Sequence, residues 1–211
     1  MKTPFTLCLL LITVLAAALG SPAARAQGRP KASAKARPVF TTVYIVRHAE
    51  KDTAAAADPS LSAVGQVRAQ ALRQLLLRRA PAALFTTDTR RTRATLAPLA
   101  EALKLEPQVY DPRRGRDLAD RILKDYAGKP VVIVGHSNTV LSLIDDFGAV
   151  PPVDEIADSE YDYLFIVRVA PGAMPTVEMR GYGAERRPPA KAKAPAAAPA
   201  KAAAVPAPGV H

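Results

Sequence analysis

The patterning of the chain predicts an α/β fold, a three-layer sandwich with a mostly parallel central sheet flanked by helices. Three observations carry that expectation. Short apolar, β-branched runs alternate with segments of helical periodicity between about residues 39 and 185. The run over 131–134 is apolar without interruption, as a strand covered on both faces must be. Two of the runs end directly in a histidine, and open α/β sheets carry their ligands outside the carboxyl ends of their strands.

The chain starts MKTPFTLCLLLITVLAAALGSPAARAQG, with Lys2, an apolar run over 5–19 and then Ala24, Arg25 and Ala26. A charged start, an apolar middle and an A-x-A site read as a cleavable secretory leader over residues 1–26. The run is shorter than the ~20 apolar residues of a membrane span, so no stable membrane insertion is expected after cleavage. A periplasmic or secreted location is the expectation. Cys8 leaves with the leader, and a mature chain without cysteine must be held by its core alone.

Net charge is +10, and its distribution says more than its size. Arg29, Lys31, Lys35 and Arg37 make a basic flexible arm over 27–38, and Arg186, Arg187, Lys191, Lys193 and Lys201 lie in a tail over 186–211. Between them 18 basic residues face 19 acidic ones, so the central domain is close to neutral. The arms carry no interleaved aromatic residues and no nucleic-acid-binding motif, so nucleic acid is not an expected partner. Solubility and weak contact with anionic envelope material both fit such arms. The tail is of low Pro/Ala/Lys complexity without apolar periodicity and is expected to be disordered.

Between the arms the elements follow in order. TTVYIVR (41–47) reads as a buried strand. LSAVGQVRAQALRQLLLRRA sets Val64, Val67, Ala71, Leu72, Leu75 and Leu76 at helical spacing, with Ser62 as its cap and Gly65 weakening its first turn. AALFTT (82–87) reads as a short strand, and 89–104 as a helix interrupted or bent near Pro98. PQVYD (107–111) reads as a further short strand, and 116–127 as a helix ending at Gly128. PVVIVGHSN is a strand running into a helix over about 137–147, and YDYLFIVRV and TVEMRGY close the domain as strands.

His48 follows VYIVR and His136 follows VVIVG, so the two imidazoles are expected in one pocket at the strand ends. FTTDTRRTRAT adds a third strand end with Arg90, Arg91 and Arg93. Two imidazoles and at least two guanidiniums, with few nearby carboxylates, suit a dianionic phosphoryl group. Arginine binds phosphate oxygens bidentately, and an imidazole can take up the phosphoryl group as phosphohistidine. A divalent-metal site would ordinarily bring carboxylates, and the arginines would repel the cation, so neither a metal nor another cofactor is expected.

These residues carry a resemblance. YIVRHAEK, LSAVGQVRAQAL, FTTDTRRTRATLAPLA and VVIVGHSNTV resemble, in order and spacing, the four motifs of the histidine phosphatase superfamily, the phosphoglycerate-mutase-like phosphatases, over about residues 43–147. The resemblance implies that His48 is the phosphorylated nucleophile, that Arg47 and Arg91 bind the phosphoryl group, and that His136, the second histidine of the pocket, binds it with them and, protonated or hydrogen-donating, stabilises charge on its equatorial oxygens. Two departures stand out. Ala49 replaces the usual glycine after Arg-His, and the general-acid glutamate of longer members has no clear counterpart. Asp111 is the first candidate for that acid and Asp117 the second, with Glu50 read as structural. A proton from solvent, or a leaving group that needs none, stays open. The expected activity is metal-independent hydrolysis of a phosphomonoester, on a small phosphorylated substrate outside the cytoplasm. A non-catalytic phosphate- or envelope-binding module on the same fold is the alternative.

Overall fold

The computed structural model describes residues 38–53 and 57–183. The expected leader, the basic arm through residue 37 and the tail over 186–211 lie outside the described residues. The elements are β1 (Thr41–Arg47), α1 (Ala63–Leu76), β2 (Ala83–Thr86), α2 (Arg90–Leu103), β3 (Gln108–Val109), α3 (Gly115–Asp125), β4 (Pro130–Gly135), α4 (Ser137–Asp146), β5 (Tyr163–Val169) and β6 (Thr176–Gly181). They form a six-stranded sheet in the order β3-β2-β4-β1-β5-β6. The first four strands of that order run parallel; β5 and β6 are antiparallel additions beside β1.

Strand side chains alternate between two cores. Val43, Ile45, Val131, Ile133 and Phe85 pack with Leu118, Ala119 and Ile122 of α3 and Val140, Leu143 and Ile144 of α4. Tyr44, Val46, Val132, Val134 and Leu84 pack on the other face with Leu72 and Leu76 of α1 and Leu96 and Leu99 of α2. The sheet is thus the middle of three layers, and this is why β4 is apolar at every position. Each such Val, Leu or Ile is worth roughly 1.5–3 kcal/mol of burial, so β1 and β4 anchor the fold and fix where their carboxyl ends lie.

Two helices differ from the expected pattern. Val64, Val67 and Leu75 of α1 are exposed, and the buried face is Gly65, Arg68, Ala69, Leu72 and Leu76. The first turn sets that rotation. Ser62 donates its backbone N–H to the Glu50 carbonyl and caps the Gly65 N–H with its side chain, while Arg68 clasps the Glu50 carboxylate through Nε and Nη2 at 2.7–3.0 Å. A Cβ on Gly65 would stand 2.2 Å from the Glu50 carbonyl oxygen. The glycine therefore admits the first motif against the helix, and the pair forces a charged residue inward where periodicity would place a valine. In α2, Pro98 does not interrupt the helix. Among the described residues no helix is long and apolar enough to cross a membrane.

Candidate active site

Parallel pairing of β1 with β4 matches Arg47 to Gly135, so the residues that follow, His48 and His136, emerge side by side. The His48 N–H donates to the Gly135 carbonyl at 2.9 Å and fixes that juxtaposition. The two rings meet edge to face with centroids 5.4 Å apart. β2 pairs with β4 one residue earlier, Thr86 against Val134, which brings Thr87 and the start of α2 to the same rim. The result is a cleft of about 740 Å³ lined by Arg47, His48, Arg91, His136, the first residues of α4, and the loop after β1.

His48 is 4% exposed. Its Nδ1 lies 2.8 Å from the Ala49 carbonyl oxygen. A carbonyl only accepts, so Nδ1 carries the proton and Nε2 the lone pair. Burial pushes the ring down to about 4; the bond to Ala49 opposes the shift, and Arg91, Arg47 and His136 add to it. The imidazole is therefore neutral at neutral pH. Ala49 is fully buried, donates its N–H to Thr95 Oγ1 at 2.9 Å and has no positive φ, so this turn takes alanine without strain.

Arg91 spans the cleft wall. Its Nη1 donates to Asp58 Oδ1 at 3.3 Å, and its Nη2 donates to His136 Nδ1 at 3.4 Å. Its neighbour Arg90 is exposed and engages Asp58 only through its backbone N–H. The helix start thus aims one guanidinium of the pair into the cleft. Because arginine can only donate, His136 Nδ1 holds a lone pair and Nε2 the proton, which goes to Thr87 Oγ1 at 2.9 Å. Burial, then Arg91 and Arg47, push the His136 ring below its ordinary value, against a smaller upward pull from Asp58. His136 is also the N-cap of α4, and the cleft includes Ser137 and Asn138 of its first turn, where free N–H groups and the helix dipole favour an anion.

Arg47 is 3% exposed and is turned into the loop before β5. Its Nη1 donates to the carbonyls of Ala157, Asp158 and Glu160, its Nη2 to Asp158 Oδ1, and Tyr161 lies over the guanidinium at 4.1 Å. Its Nε is buried with no hydrogen-bond partner among the described residues. Three further residues were not anticipated from the sequence: Asp58, Asp158 and Tyr161. Asp58 and Asp158, together with Asp52 on the lining, correct the expectation of few carboxylates near the pocket. They come from loops without periodicity, and Asp158 lies 111 residues from the arginine it meets. No spacing in the sequence signals such contacts.

The acid candidates are corrected as well. Asp111 is not on the cleft lining; it accepts from the Arg113 backbone N–H and side chain, which hold its carboxyl at about 2, far too acidic to donate a proton at neutral pH. Asp117 is exposed and paired with Arg114. Glu50 is committed to Arg68, as its structural reading requires. Among the described residues no group of three or more His, Cys, Asp and Glu side chains could hold a metal ion.

Known proteins can now be set beside this geometry. The model of the histidine phosphatase superfamily (branch 1) matches residues 43–113, a segment that includes Arg47, His48 and Arg91. Over this segment, about a third of its length, the chain is similar to that superfamily. His136 lies beyond the matched segment and is supplied to the same cleft by the fold. Among solved structures, the protein histidine phosphatase SixA in complex with tungstate is 18% identical with a TM-score of 0.53, covering 65% of this chain and 94% of its own. A mycobacterial glucosyl-3-phosphoglycerate phosphatase in complex with VO3 is 15% identical with a TM-score of 0.51, covering 69% of this chain and 100% of its own. A protein titled mycobacterial hydrolase 1 is 16% identical with a TM-score of 0.50, covering 66% and 96%. These likenesses are of fold, and they agree on the layered α/β architecture. Comparison with curated proteins finds no match.

Proposed function

We propose that the chain hydrolyses a phosphomonoester through a phosphohistidine on His48, and that it does so outside the cytoplasm. The observation that carries the chemistry is the state of His48: a neutral imidazole, proton fixed on Nδ1 by Ala49, lone pair on Nε2, at the floor of a cleft walled by arginine. Nε2 attacks phosphorus in line; the N–P bond forms as the bond to the leaving oxygen breaks, and that oxygen takes its proton from solvent. Water then attacks phosphorus, releases orthophosphate and restores Nε2. Arg91 and the first turn of α4 stabilise charge on the equatorial oxygens. Arg47 supplies positive potential, and its buried Nε–H is a donor without an acceptor among the described residues. The leader over 1–26 supports export.

The test is single turnover with a 32P-labelled small phosphomonoester on the mature protein. The quench is alkaline denaturant, because N–P bonds are acid-labile. Wild type should retain label that dilute acid releases, and His48→Gln should retain none. Label persisting in His48→Gln refutes the assignment of the nucleophile. Phosphate binding without turnover in wild type would favour the binding module instead. Location is read by whether the chain is recovered from the extracytoplasmic fraction and shortened near residue 26.

A further inference from the structure

We infer that Thr87 is a positioning residue that acts through His136: its hydroxyl accepts the Nε2 proton, holds the ring in that tautomer and thereby points the Nδ1 lone pair at Arg91. The inference rests on the phosphatase reading only for its consequence in turnover.

The residues form one continuous chain of hydrogen bonds across four segments: the loop before α1, the start of α2, and the residues that follow β4 and β2. Asp58 accepts from Arg91 Nη1; Arg91 Nη2 donates to His136 Nδ1; His136 Nε2 donates to Thr87 Oγ1. Behind Thr87, its hydroxyl lies 3.1 Å from Thr92 Oγ1, whose single proton has the Thr87 and Thr89 carbonyls as acceptors at 2.9 and 3.0 Å. Thr87 and Thr92 are 1% and 0% exposed, so no water competes for these bonds. The direction of every bond follows from the two ends. Arginine has no lone pair to offer, so Nδ1 must accept. The Thr92 proton is committed to carbonyls, so the Thr87 proton is free to go to Thr92 Oγ1, leaving Thr87 oxygen as the acceptor for Nε2.

The other neutral tautomer would set an N–H at Nδ1 against the N–H groups of Arg91 and release that guanidinium from one of its two tethers. Removing the hydroxyl would leave the Nε2 proton without its acceptor and take away the reason for one tautomer to dominate. The residue that follows β2 therefore contributes to the site a side chain that touches no substrate yet aligns the arginine that does.

Thr87→Val keeps the shape and removes the hydroxyl; Thr87→Ser keeps the hydroxyl. Ring 15N NMR of His136 reads the tautomer in each without reference to activity, and titration with inorganic phosphate reads the site. Wild type and Thr87→Ser should show His136 as one tautomer with Nε2 protonated. Thr87→Val should show a mixture of tautomers, weaker phosphate binding and kcat/KM down about fivefold to tenfold, the scale of one net hydrogen bond. A single unchanged tautomer in Thr87→Val, with kcat/KM within twofold of wild type, overturns the inference. If wild type proves inactive, the tautomer and phosphate measurements still decide it, and the phosphatase reading fails separately.

Discussion

Arg91 and Arg90 are adjacent and chemically identical, so exchanging either one tests what position alone does. At the start of α2 successive side chains diverge by about 100°. Arg91 is 21% exposed in its side chain and lies between Asp58 and His136, whereas Arg90 faces solvent. A guanidinium held on a phosphoryl group contributes most as charge gathers on the equatorial oxygens. Losing one such donor typically costs ~3 kcal/mol, about a hundredfold in rate. Arg91→Ala should therefore lower kcat/KM for a small phosphomonoester by about a hundredfold. Lysine restores the charge but neither the fork nor the paired reach to Asp58 and His136, so Arg91→Lys should recover little of the loss. Arg90→Ala should change kcat/KM by no more than a few-fold, since its charge is screened by water. Steady-state kinetics on the three variants, with circular dichroism to confirm folding, decide the matter. Should Arg90→Ala be the crippled variant, the register of the phosphate-binding arginine is off by one and the cleft assignment falls with it.

The remaining expectations concern the floor of the site. His48 is held at about 4 in the fold against an ordinary 6.5, so between those values an unfolded chain takes up a proton that the folded chain does not. Stability should fall as pH drops from 6.5 toward 4, by roughly 3 kcal/mol from this residue, and level off below. Urea denaturation at pH 7 and pH 4.5 should show His48→Asn losing clearly less than wild type; equal losses would refute the neutral, buried state. Glu50 and Arg68 are 19% and 9% exposed in their side chains, and removing one partner leaves the other charge nearly buried. Arg68→Met should cost about 3 kcal/mol and lower Tm by about 10 °C. The double variant Glu50→Leu/Arg68→Met should cost less than the sum of the two single changes, and strict additivity in a thermal melt would show that the pair is not coupled.

The strands at the centre of the sheet were legible because burial on both faces leaves a continuous apolar run, and β4 reads that way from 131 to 134. The two histidines were legible because each follows such a run directly. Helix α1 was read with Leu72 and Leu76 correctly inward but with its first turns rotated, since periodicity registers hydrophobicity and the rotation was set by an ion pair. Val64 and Val67 face out because Arg68 faces in toward Glu50.

The sequence by itself determined the layered class and the strand ends that carry the two histidines and the cationic groups beside them, because these depend on local periodicity and on residue type. Only the tertiary structure decided which partners those groups have. Asp58 on Arg91, Thr87 on His136 and the 157–161 loop on Arg47 are contacts between segments distant in the sequence. Such contacts are fixed by strand register and loop path, which leave no period in the sequence. Yet the tautomer of His136, and the side chain each arginine can reach, follow from them.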